Sequence, residues 1–144
     1  LEFLKQSFRL YVDSFKTGEP VSIRNFDNYI GILLGTPPEN CAMNGRCGQY
    51  YLVESDGSVY PCDFYCNDEQ CLGNINDTSF AQMRKSKKAL DFISSSFEKK
   101  DECNECKYYY LCRGGGCKRN NASFNYCETY KKFFSQNEEK ILSL

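Results

Sequence analysis

Ten cysteines in a chain of 144 residues, with no histidine anywhere, constrain this sequence more than any other feature. A chain of this length can bury only a modest core, so thiols at this density must be accounted for by cross-links or metal. They form two groups: Cys41, Cys47, Cys62, Cys66 and Cys71, then Cys103, Cys106, Cys112, Cys117 and Cys127. The second group reads C-x2-C-x5-C-x4-C-x9-C. A C-x2-C pair sets two thiolates around one metal, with loop N–H groups turned toward the sulfurs. It leaves iron–sulfur, four-cysteine zinc and disulfide readings open. The lack of His removes mixed Cys/His zinc sites, His-activated nucleophiles and imidazole acid–base chemistry together. Proton transfer would fall to Asp, Glu, Lys or Tyr.

No apolar run reaches membrane-spanning length, and the opening LEFLKQSFRLYVDSF carries charges where a signal peptide would be uninterrupted and apolar. The expectation is therefore a cytoplasmic protein with no membrane partner. In a reducing compartment such thiols point to metal or clusters rather than disulfides. A formal net charge of −1 offers no general field for nucleic acid. The run Arg84, Lys85, Lys87 and Lys88 reads as a solvated helix face. The sequence opens on Leu, which suggests a portion of a longer protein.

Phe3, Leu4, Phe8, Tyr11, Val12 and Phe15 form a helical stripe over residues 1–15, ended by Thr17-Gly18-Glu19-Pro20. A second helix is predicted over 26–34, closed by Gly35-Thr36-Pro37-Pro38. Both stripes read as packing faces. Residues 49–54 and 58–60, joined through Asp56-Gly57, predict a β-hairpin. It would fold the chain back between Cys47 and Cys62, so that Cys41, Cys47 and Cys62 could meet. One or two helices follow over 77–97, with Thr78 or Ser79 as cap, and a last helix over 128–144. The fold class expected is α+β: a small cysteine-rich domain with a hairpin and surrounding helices, organised by its metal sites.

Certain runs carry a resemblance. Cys41-Ala-Met-Asn-Gly-Arg-Cys47, Asp56-Gly-Ser-Val-Tyr-Pro-Cys62-Asp-Phe-Tyr65 and Leu72-Gly-Asn-Ile75 resemble the C-terminal region of anaerobic sulfatase-maturating enzymes, a radical S-adenosylmethionine family. So do Cys103-Asn-Glu-Cys106, Leu111-Cys112-Arg-Gly-Gly-Gly-Cys117 and Tyr126-Cys127-Glu-Thr-Tyr-Lys-Lys-Phe-Phe134. The likeness extends over nearly the whole chain. It implies a SPASM domain over 39–144 with two auxiliary 4Fe-4S clusters, and a helical segment over 1–38 leading to a radical S-adenosylmethionine barrel further N-terminal.

Carried over position by position, Cys41, Cys47, Cys62 and Cys117 would hold the first cluster, and Cys103, Cys106, Cys112 and Cys127 the second. The fourth ligand of the first set lies among the second group, so cluster binding and folding should be coupled. Asp63 would be the base that takes a proton from the substrate intermediate, a task suited to a carboxylate with a tuned pKa. Two departures stand out. Four residues separate Cys112 from Cys117 where the family has three, an extra Gly that a loop tolerating φ > 0 could absorb. Cys66 and Cys71 are surplus to eight ligands and read as thiols that pack rather than ligate.

The resemblance implies oxidation of a Cys or Ser in a sulfatase peptide to formylglycine. No C-x3-C-x2-C motif for a radical-generating cluster occurs here, so S-adenosylmethionine and a third cluster would belong to the N-terminal part, and this chain alone should be inactive. Two other readings stand beside it. One is a zinc-binding interaction module with Tyr108, Tyr109 and Tyr110 as its contact surface, zinc being the metal expected after aerobic preparation. The other is the SPASM domain of a different peptide-modifying enzyme.

Overall fold

The computed structural model describes residues 1–117 and 126–143. In chain order these form α1 (Glu2–Lys16), α2 (Arg24–Leu33), β1 (Leu52–Val53), β2 (Ser58–Tyr60), β3 (Gly73–Asn74), α3 (Phe80–Lys85), α4 (Lys87–Ser94), α5 (Asp101–Asn104), α6 (Tyr109–Cys112) and α7 (Cys127–Leu142). Short 3-10 turns lie at Cys41–Met43, Asp68–Gln70, Ser95–Phe97 and Arg113–Gly115. The α+β class stands, and among the described residues no helix is long and apolar enough to cross a membrane. The chain divides into two units, Leu1–Gly45 with Lys99–Leu144, and Arg46–Glu98.

The first unit is helical and its core is aromatic. Phe8, Tyr11 and Val12 lie at i, i+3 and i+4 on α1 and are buried, while Glu2 in the first turn and Lys16 in the last complement the helix dipole. The helix stops where Gly18 takes φ +78° and its N–H donates to the Phe15 carbonyl. The predicted stripe is narrower than its sequence: Phe3 is 80% exposed and Phe15 42%, so only the middle turns face inward. From α2, Phe26 and Tyr29 are buried. The ring of Phe8 lies 5.2 Å from Phe26 and 5.5 Å from Phe133 of α7, both edge-on. Burial of each such ring stabilises the fold by about 1.5–3 kcal/mol. The Tyr11 hydroxyl donates to Asp27 Oδ1 at 2.6 Å. Burial and this bond push its phenol pKa well above the ordinary value.

The second unit is built on the predicted hairpin, shorter than its sequence. Leu52 pairs with Tyr60 and Val53 with Val59. Gly57 takes φ +86° at the turn, where a side chain would strike Asn74. No local signal marks β3, which pairs antiparallel with β2. A two-residue strand containing Gly has no periodicity to read. What fixes it is Asn74, whose Nδ2 donates to the Asp56 carbonyl and whose Oδ1 accepts the Asn76 N–H. Of the two candidate caps, Ser79 opens α3: its Oγ accepts the Gln82 N–H while Gln82 Oε1 accepts the Ser79 N–H. Ser86, extended at ψ 146°, ends α3 and caps α4 through Ala89 N–H. Two helices therefore fill 77–97, with Met83, Ala89 and Phe92 buried and Arg84, Lys85, Lys87 and Lys88 exposed as expected.

Candidate metal centre

The chain from Lys100 to Cys112 winds through successive tight turns that present one thiol after another. Cys103 N–H donates to the Lys100 carbonyl at 2.9 Å, and Tyr109 N–H to the Cys106 carbonyl at 3.0 Å. Cys112 N–H reaches the Tyr108 carbonyl at 2.9 Å, and Cys112 Sγ accepts the Gly115 N–H at 3.3 Å. Cys127 is the first residue of α7.

Cys103, Cys106, Cys112 and Cys127 all line one cavity, together with Tyr108, Tyr109, Tyr126 and Tyr130. Burial pushes the Cys112 thiol pKa up, as do the neighbouring Cys127, Cys103 and Cys106. Cys103 is raised in the same way, by burial first and then by Cys127, Glu102 and Cys106. Four thiolates so placed repel one another unless a positive group sits among them. Lys131, one turn along α7, is raised chiefly by Cys127. Among the described residues no three metal-binding side chains converge on a point fit for a single ion. The thiols stand around a cavity wall instead, with tyrosine rings between them and a backbone N–H on one sulfur. That donor set and spacing fit an all-cysteine iron–sulfur cluster, which takes its ligands around its periphery.

The other predicted ligands divide between the units, Cys41 and Cys117 in the first, Cys47 and Cys62 in the second. Cys41 begins a 3-10 turn capped by Asn40, whose Oδ1 accepts the Ala42 N–H at 3.1 Å. The buried Asn28 of α2 accepts the Asn40 N–H and donates to the Arg24 carbonyl. The segment before Cys117 is unusual: Arg113, Gly114, Gly115 and Gly116 all have φ between +48° and +90°. Three successive glycines adopt a path other residues resist. Gly116 also presses on the Cys41 turn, its carbonyl accepting the Gly45 N–H at 2.7 Å. A Cβ on Gly116 would overlap the Ala42 carbonyl and lie 2.9 Å from Met43 Cα. Gly116→Ala is therefore expected to displace the Cys41 and Cys117 segments and to cost more than the ordinary 0.5–3 kcal/mol or so of a point substitution. Anaerobic thermal unfolding beside the parent chain measures it.

In the second unit Cys47 N–H donates at 2.7 Å to Ser96 Oγ, which itself donates to the Ile93 carbonyl. Cys62 follows β2, its Sγ accepting the Phe64 N–H at 3.5 Å and approaching Asp63 Oδ1 at 3.3 Å. Asp63 itself is exposed. Cys66 Sγ faces the Cys62 and Asp63 carbonyls, and Cys71 Sγ the Gly73 carbonyl. Asn28 and Ser96 went unseen in the sequence, since a lone Asn or Ser on a helix carries no positional signal. The three tyrosines of the zinc-module reading make these contacts. Tyr108 packs on Phe134, Tyr109 lines the cavity, and the Tyr110 hydroxyl donates to Glu138 at 2.6 Å.

Comparison with known proteins is consistent with this arrangement. Residues 41–107 match SPASM, described as an iron–sulfur cluster-binding domain. A cysteine-type anaerobic sulfatase-maturating enzyme of Clostridium perfringens is 40% identical over 151 residues, covering 99% of this chain and 40% of that protein. A serine-type enzyme of Bacteroides thetaiotaomicron is 30% identical over 122 residues, 78% of this chain and 29% of that protein. The solved structure of native anSMEcpe with bound AdoMet and Cp18Cys peptide superposes with a TM-score of 0.90 at 41% identity, covering 98% of this chain and 41% of that one. The chain thus spans about 40% of the length of the Clostridium relative.

Proposed function

We propose, for a chain that belongs to the SPASM-containing family of anaerobic sulfatase-maturating enzymes, that it supplies the auxiliary-cluster part of an enzyme oxidising a Cys or Ser of a sulfatase peptide to formylglycine. The observation that carries this reading is the single cavity walled by Cys103, Cys106, Cys112 and Cys127. These four hold one 4Fe-4S cluster, and Cys41, Cys47, Cys62 and Cys117 hold the other. When bound, such clusters accept single electrons. The residues around the cavity exclude water with tyrosine rings, hold Cys112 Sγ with the Gly115 N–H, and balance thiolate charge with Lys131.

Asp63 takes the proton from the thiol or hydroxyl on the substrate's oxidised carbon as the carbon–heteroatom bond becomes double. Its exposure leaves it open to a peptide, and Cys62 beside it ties the base to the first ligand set. The barrel, S-adenosylmethionine and the third cluster belong to the rest of the parent protein, in keeping with the greater length of the relatives.

Anaerobic reconstitution with iron and sulfide tests the reading directly. The expected product is brown, with the broad absorption of iron–sulfur clusters and two clusters' worth of iron per chain. A colourless protein that binds stoichiometric zinc and takes up no iron would replace this reading with the zinc module.

A further inference from the structure

α7 meets the cysteine-bearing turns along one face. Cys127, Lys131, Phe134 and Glu138 fall at i, i+4, i+7 and i+11 of that helix, one above another. At the near end Cys127 lines the cluster cavity, and midway the fully buried Phe134 packs on Tyr108 at 5.8 Å. The far end is polar. There Glu138, its side chain only 21% exposed, accepts from two donors at once: the Tyr110 hydroxyl at Oε1, 2.6 Å away, and Lys107 Nζ at Oε2, 3.0 Å away. The two bonds, that from Tyr110 first, hold the carboxyl below the usual carboxylate range, so it remains an acceptor at neutral pH. Both donors belong to the short stretch between two predicted ligands, Lys107 directly after Cys106 and Tyr110 two residues before Cys112. Beside these contacts runs an open cleft of about 480 Å³, and Cys106, Tyr108 and Lys131 line both it and the cluster cavity. The near end of α7 is therefore not sealed onto the turns by packing alone.

We infer, on the cluster assignment proposed above, that Glu138 is the clamp that holds α7 against the Cys106–Cys112 stretch and so keeps Cys127 within reach of the cluster on Cys103, Cys106 and Cys112. Three of the four thiols come from the turns themselves, whereas Cys127 arrives on a separate helix. How firmly α7 is docked then decides whether four thiolates are presented or three. An isolated surface ion pair would contribute little to that docking. A phenol on a carboxylate is a charge-assisted bond, and one acceptor shared by two donors orders all three side chains together. Glu138 is a positioning residue, since it acts on the cluster through the elements it joins.

Anaerobic release of iron from the loaded chain to a ferrous-iron chelator measures how fast each cluster comes apart, and the phase that vanishes in Cys103→Ala identifies the relevant one. Glu138→Ala is expected to speed that phase by about tenfold to a hundredfold, the usual effect of losing a group that orients a metal ligand. The phase belonging to the other cluster should not move. Tyr110→Phe should give part of the acceleration and add little to Glu138→Ala, because both remove the same bond. Glu138→Gln keeps an acceptor for Tyr110 without a charge for Lys107, so its rate should fall between those of the parent chain and Glu138→Ala. An unchanged rate in Glu138→Ala overturns the inference, as does equal acceleration of both clusters, which would make Glu138 a support for the fold at large. Should Glu138→Ala fail to fold, Tyr110→Phe and Glu138→Gln decide by the same selectivity. If the unsubstituted chain shows no phase that Cys103→Ala removes, the cluster assignment itself has failed, before Glu138 is altered.

Discussion

Alanine in place of Cys103, Cys106 or Cys112 is expected to strip one cluster's iron from the chain and to destabilise its fold by something on the order of 10 kcal/mol, the scale on which metal binding contributes where site and fold form together. The three belong to one cavity with Cys127, and their thiols already act on one another electrostatically. Removing any of them should therefore have the same consequence. Cys66→Ala and Cys71→Ala are the controls, because those sulfurs face backbone carbonyls rather than the cavity. Iron per chain and anaerobic thermal unfolding give both readouts. Full iron in all three variants, or loss of a cluster in either control, would show that the ligand set has been drawn wrongly.

The parts of this structure legible in the sequence are those in which one local signal suffices. The α1 and α2 stripes, the Asp56-Gly57 turn and the Ser79 cap each follow from a short run, and each is found within a residue or two. The cysteine run Cys103, Cys106, Cys112, Cys117 and Cys127 is legible as one group, but that Cys103, Cys106, Cys112 and Cys127 share a site without Cys117 came only from the family resemblance. The cavity these four line depends on how α7 packs against the tight turns. What escaped the sequence were contacts made across distance by small polar groups. Asn28 holds the Cys41 turn from α2, Ser96 holds Cys47 from beyond α4, and Asn74 creates β3. None has a pattern to recognise, because what matters is the backbone group that each happens to meet.

The second large effect is expected at Asp63, in the parent enzyme. Asp63→Asn keeps the size of the side chain and removes its basicity, and no histidine exists in this chain to take over the proton. If the carboxylate is the base, formylglycine formation should fall about 10²- to 10⁴-fold, the usual contribution of general base catalysis. Both clusters should still assemble, and S-adenosylmethionine should still be cleaved. Mass spectrometry of a sulfatase peptide follows the product while iron analysis follows the clusters. Near-normal maturation would reduce Asp63 to a loop residue. Loss of the neighbouring cluster along with activity would make it a support for Cys62, whose sulfur lies 3.3 Å from its oxygen.

The discontinuous make-up of the first unit bears on how this chain is born. Residues 46–98 form one contiguous unit whose strand pairings join segments close in sequence. The aromatic core of the first unit is different: Phe8 and Phe26 must wait for Phe133, made more than 100 residues later, and closing so long a loop is slow. Until then the Phe8 and Phe26 rings lack this partner, and apolar surface left exposed during synthesis is prone to aggregate. Production at low temperature, or with chaperones that bind exposed apolar helices, should consequently raise the yield of intact chain more than any change within residues 46–98.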